Sequence, residues 1–188
     1  DKTAYFGTYN SNLDSYTKQI FDENAIKGSL PNAETKSKYN TRFKYHKKTE
    51  FKNIPTSNIE IQIDTVIGNK RFLEFTITPE RKVNKLEFIT KKELKLHQFK
   101  VNDVLANEGK TYTVKNGTFL VYHLANQDKE ITLSFTILKD DKLDLILNEI
   151  SYDLLENSNF SITPRTKEMM PMPFVTNDAI IIYKRLNL

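Results

Sequence analysis

The sequence has no cysteine, no tryptophan and only five glycines in 188 residues. Without cysteine there is neither a disulfide nor thiol chemistry, and the redox compartment is left open. The sparse glycine matches the absence of any Walker A loop or G-x-G-x-x-G fingerprint. No G-x-S-x-G elbow marks a serine nucleophile either. No apolar run reaches the roughly 18 residues that a membrane-spanning helix needs. The chain starts with Asp, not Met, and no signal-peptide pattern follows; this leads us to expect a piece of a longer protein or a processed chain. A strong excess of one charge is also missing. The 28 basic residues face 24 acids, a net charge of +4, and they are mostly interleaved, so no nucleic-acid partner is expected.

Metal and catalytic spacings are equally scarce. His46, His97 and His123 stand far apart, with no HxxxH, HxD or HxH pattern, and read as strand histidines rather than zinc ligands. Asp140, Asp141 and Asp144 lack the glycine and glutamate of a calcium loop and read as a solvated turn. Nothing selects a pair of carboxylates for hydrolysis. Tyr112, Phe119, Tyr122 and Tyr152 can line a sugar-binding face, but strand aromatics more often form core or cross-strand pairs.

What is present is Ile, Leu and Phe in period two. "NIEIQIDTVI" (58–67) sets Ile59, Ile61 and Ile63 on one face against Glu60, Gln62 and Asp64 on the other, and Gly68-Asn69 then supplies a turn. "RFLEFTIT", "KLEFIT", "ELKLHQFKV", "EITLSFTIL", "KLDLILNEISYDL" and "DAIIIYKRL" repeat the pattern. "KTYTVK" and "TFLVYHL" flank Asn116-Gly117, the form of a tight hairpin. Short strands with no helices between them predict a mainly β fold, an antiparallel β-sandwich or jelly roll over 58–188. One N-terminal α-helix is expected over 11–27. There Leu13, Tyr16, Thr17, Ile20 and Phe21 form an apolar stripe, Ser11 and Asp14 resemble a capping box, and Gly28 with Pro31 supplies the stop.

Residues 1–57 thus comprise this helix and a basic connector. Lys36, Lys38, Arg42, Lys44, Lys47, Lys48 and Lys52 are interleaved there with Tyr39, Phe43, Tyr45 and Phe51. A solvated face is the ordinary reading, and an anionic lipid surface is the functional one, with Lys44, Lys47 and Lys48 as membrane-facing candidates.

All three methionines fall in "RTKEMMPMPFVTNDAIIIYKRL" (165–186). Its alternating X-Pro pairs favour an extended segment in which Met170 and Met172 point one way, filling a groove of the core or of a partner. This segment, with "LNEISYDL" before it, resembles the C-terminal end of membrane-bound zinc peptidases of the M28 family. The matching positions are Glu149, Ser151 and Leu154, then Pro164-Arg165, Met170-Pro171 with Met172-Pro173, Asp178-Ala179, and the final apolar strand. The opening "YNSNLDSYTKQIF" is similar to the segment after the last membrane helix of such proteins.

The resemblance implies a non-catalytic, extracytoplasmic accessory domain of a bacterial, membrane-anchored aminopeptidase. Residues 1–57 would be a post-membrane segment on the periplasmic side. The partners implied are the peptidase domain and membrane helices of the same polypeptide. No cofactor is expected in this chain; zinc belongs to the parent peptidase domain, so no metal or catalytic residue is carried over. Two alternatives from the residues alone are a secreted glycan- or peptide-binding sandwich and a hydrolase with paired carboxylates.

Overall fold

The computed structural model describes residues 2–31, 37, 39–125 and 130–188. The protein is mainly β with antiparallel sheets, and its chain forms two compact units, one from 1–54 with 152–180 and one from 55–151 with 181–188.

The first unit has a three-stranded sheet. Strand β1 (Ala4–Thr8) and the short β2 (Ile26–Lys27) both pair antiparallel with β3 (Tyr45–Thr49). Around it Tyr9 stacks on Phe43 at 4.1 Å between ring centroids, and Phe6 meets Phe160 edge-on at 6.2 Å. Gly7 lies under this layer. A Cβ there would stand 3.0 Å from both Leu30 Cδ1 and Phe43 Cδ1, so a larger residue would have to push these side chains aside.

The expected N-terminal α-helix over 11–27 is absent; a single 3₁₀ turn at Thr17–Gln19 takes its place. Asp14, not Ser11, holds the entry to this turn: its Oδ1 accepts from the Thr17 amide and from Thr17 Oγ1, both at 2.8 Å. At the far end Asp22 Oδ1 accepts from the Asn24 amide at 2.9 Å. Short polar side chains thus compete for the backbone and limit the helix to one turn. The stripe survives the loss of the helix, since Tyr16, Thr17 and Phe21 are buried.

In the second unit, β4 (Asn58–Ile67), β5 (Lys70–Thr78), β11 (Ile131–Leu138), β7 (Leu94–Val101) and β8 (Val104–Leu105) are neighbours in that order, and β9 (Tyr112–Val114) pairs with β7. A second sheet runs β10 (Gly117–His123), β6 (Lys85–Thr90), β12 (Leu145–Ser151) and β13 (Ile180–Leu186). Leu73, Phe75, Leu96, Ile131, Leu133 and Phe135 of the first sheet share one buried cluster with Leu86, Phe88, Phe119, Leu145 and Leu147 of the second. Phe99 joins the two sides, with its centroid 6.2 Å from Phe119 and 6.3 Å from Phe135. Each such side chain is worth about 1.5–3 kcal/mol of burial.

Two strand readings change. β9 and β10 do not form a hairpin with each other. β9 pairs with β7 and β10 with β6, so Asn116-Gly117, with Gly117 at φ 116°, passes the chain from one sheet to the other. In β4 the register to β5 shifts between Ile61 and Ile63. That bulge at Gln62 places Ile63 opposite Glu74 instead of on the face shared by Ile59 and Ile61, because one extra residue inverts a period-two pattern.

Candidate functional site

Of the residues singled out by sequence, Arg165 and Asp178 are brought together. Asp178 Oδ1 accepts from the Tyr16 hydroxyl at 2.9 Å, and Oδ2 accepts from Arg165 Nη1. The Arg165 guanidinium carbon also lies 4.0 Å from the centre of the Tyr16 ring. Ion pair, hydrogen bond and cation–π contact thus close a triangle. Burial pushes the Tyr16 phenol up to about 12, aided by its hydrogen bond to Asp178 and that carboxylate's charge. Nearby Asp14 is held below the usual carboxylate range, first by the Thr17 amide. Thr163 and Gln19 add a reciprocal pair of bonds at 3.0 and 2.9 Å. Segment 163–178 is therefore fastened to 14–19 by polar ties, with Pro164 exposed at its start.

Between these ties the chain carries "MMPMPF". Met170 is 85% exposed and Phe174 64% exposed, so Met170 is not the core plug that its composition suggested. Pro171 and Pro173 are exposed, and Met172 is half-buried. Neither proline has an N–H to donate, so the segment cannot enter a ladder and remains a loop. Asn177 Nδ2 donates to the Met172 carbonyl at 2.7 Å and pins its base. Phe174 sits at φ 62°, a left-handed conformation that a bulky side chain rarely adopts. Its ring meets the exposed Tyr39 edge-on at 5.3 Å.

Glu149 and Ser151 belong to the second unit and face its interior. Glu149 is fully buried, and both of its carboxylate oxygens accept from the Ser57 amide, at 2.9 and 3.2 Å. Lys184 Nζ donates to the Ser57 carbonyl at 2.9 Å. Arg81 donates to Ser151 Oγ and, at 3.2 Å, to the Pro55 carbonyl. These contacts lock the strand entrance at 55–57. They orient no group toward solvent.

The three candidate lysines do not share one face. Lys47 and Lys48 are successive strand residues and point to opposite sides of β3. Lys47 Nζ is engaged at 2.7 Å with Asp22 Oδ2 and at 3.2 Å with the Ile20 carbonyl. Lys44 and Lys48 are exposed. Lys36 and Lys38 lie outside the described residues.

Other constellations are dispersed. His46 is buried, with Nδ1 3.3 Å from the Gly28 carbonyl, and His97 Nδ1 lies 3.0 Å from Thr111 Oγ1. Among the described residues no three His, Asp or Glu side chains are placed to hold a metal ion. Asp144 pairs with Arg185 at 2.8 Å. Phe119 is core, Tyr112 and Tyr122 pack against the core, and Tyr152 is 49% exposed, so these aromatics form no surface row. Glu74, Asp103 and Glu130 line an open depression of about 450 Å³ with Gln62, Asn102 and Thr132.

Comparison with protein-family models, curated proteins and solved structures finds no match. Sequence reasoning missed Tyr16 as the partner of Asp178, and Arg81 as the partner of Ser151. Tyr16 was visible only as one residue of an apolar stripe. Arg81 carried no signal of this role, since Pro55 and Ser151, to which it donates, lie 26 and 70 residues away.

Proposed function

We propose that the protein is a non-catalytic accessory domain that binds a partner through the Met170–Phe174 loop. The partner that its M28-like motif residues suggest is the zinc peptidase domain of the same polypeptide, on the extracytoplasmic side of a membrane. The observation that carries the reading is Phe174, a large aromatic at φ 62° yet 64% exposed. Such a conformation costs on the order of 1–2 kcal/mol, and burial of the ring within its own unit does not repay it. A strained, water-facing aromatic beside an exposed methionine fits a contact surface prepared for another molecule. The other motif residues support the same role. Arg165 and Asp178 build the base of the loop and Glu149 and Ser151 brace the strands, so the shared motif serves as a scaffold. Two-sheet packing over one core suits such a rigid support, in the manner of a β-sandwich.

The direct test is the reading frame upstream of Asp1. Hydrophobic segments and a zinc-ligand domain are expected there; a frame that opens at Asp1 after a signal peptide alone would overturn the reading. With that peptidase domain in hand, M170S/F174N should weaken its association with the 188-residue chain at least ~10-fold by calorimetry.

A further inference from the structure

The bulge at Gln62 has a second effect on the sheet β4–β5–β11. Directly paired residues share a face, and beyond the bulge Ile63, Thr65 and Ile67 stand opposite Glu74, Phe72 and Lys70. Those three in turn stand opposite Ser134, Thr136 and Leu138 of β11. All nine side chains therefore lie on the outer face, away from Leu73 and Phe75. The register thus gathers Ile63, Ile67, Phe72 and Leu138 on this face, exposed by 44, 65, 38 and 48%. Lys70 and Glu74 flank Phe72 two residues to either side. Among the described residues neither has a partner for its charge within the chain.

We propose that this outer face of β4–β5–β11 binds a second copy of the chain, sheet against sheet, about a two-fold axis that lies over β5 level with Phe72. The patch is complementary to itself under that operation. A two-fold axis lying between the sheets, perpendicular to the strands, sets each strand antiparallel over its own copy. Phe72 then meets Phe72 of the other copy. Residues two positions either side exchange places, roughly 6.7 Å along the strand. Lys70 falls opposite Glu74 and Glu74 opposite Lys70, while Ile67 falls opposite Ile63. Two ion pairs and two apolar pairs form at once, as an isologous interface requires. Stacked sheets align within about 30°, which keeps these pairs in reach. Edge-to-edge addition along β4 is the competing arrangement. The bulge at Gln62 interrupts the regular ladder that it needs, and Glu60 and Asp64 put only acids on that strand.

Sedimentation equilibrium of the 188-residue chain across a concentration series tests this. The expected result is a monomer–dimer equilibrium. Lys70→Glu and Glu74→Lys should each weaken the dimer ~10-fold or more by setting like charges across the axis. Combining them should restore the wild-type constant, since the swapped charges face each other again. Phe72→Asp should leave only monomer. Circular dichroism checks that each variant folds; were Phe72→Asp to misfold, the charge swap alone still decides. A wild-type chain that stays monomeric throughout overturns the proposal. So does a dimer indifferent to the single reversals, or one that the double variant fails to restore.

Discussion

Residues 55–151 with 181–188 bury Leu, Ile and Phe from two sheets in one contiguous cluster. Residues 2–54 with 152–180 rest on three short strands, a stacked Tyr9–Phe43 pair and polar ties such as Tyr16–Asp178–Arg165. In the first case stability is spread over many dispersion contacts, each small and tolerant of changes at the surface. In the second it is concentrated in a few directional bonds, whose loss strands a partially buried charge or hydroxyl. The polar unit also holds the shifted Tyr16 and Asp14, and it carries the exposed Met170 and Phe174.

The sharpest way to test this contrast is to empty the apolar core. Phe88→Ala should cost about 3–5 kcal/mol in urea unfolding. A loss under ~1 kcal/mol would mean that the two sheets do not depend on a common core. Next in size is Glu149→Ala, which leaves the Ser57 amide buried without an acceptor; a cost of about 2–3 kcal/mol is expected by thermal denaturation. Glu149→Gln should recover part of it through its carbonyl oxygen.

Tyr16→Phe breaks the polar unit selectively, at about 1 kcal/mol at neutral pH. It also changes the alkaline limb. The folded-state value of Tyr16, near 12, lies above the ordinary 10. Its contribution is therefore full below pH 10 and is lost as pH rises through 12. The wild type should lose stability across that window, and Tyr16→Phe should lose less, read as the difference in urea midpoints. Identical slopes would refute the role of the phenol. Asp14 has the opposite sign: held low by the Thr17 amide, its contribution is present above its unfolded value and fades as pH falls below about 4. The smallest expected effect is at Phe174. Replacing it with Asn, which tolerates φ near 62°, should leave stability unchanged or raise it by up to ~1 kcal/mol while partner binding falls. A clear loss of stability would show that the ring serves its own fold.

Much of this architecture was legible because strand period is a local property. The alternating runs at 70–78, 85–90, 94–101 and 131–138 fold as strands. The failures share a cause. The 11–27 helix rested on an apolar stripe, which a turn with three inward side chains satisfies equally well. What ended it was Asp14 and Asp22 bonding to nearby amides. The Asn116-Gly117 hairpin failed because a turn signal fixes a reversal of direction but not the neighbouring strand. Of the candidate site, the C-terminal segment was legible as unusual, while its division into buried ties and an exposed tip was not.

The sequence by itself determined the β class, the alternation that supplies the core, and the proline-enforced loop at 171–173, because each follows from backbone and side-chain geometry over a few residues. Only the tertiary structure decided that 152–180 joins the N-terminal segment, that Arg165 and Asp178 meet on Tyr16, and that Ile63 turns outward. Each of those depends on register or on partners scores of residues apart, where the free energy of a contact is not encoded in any one stretch of chain.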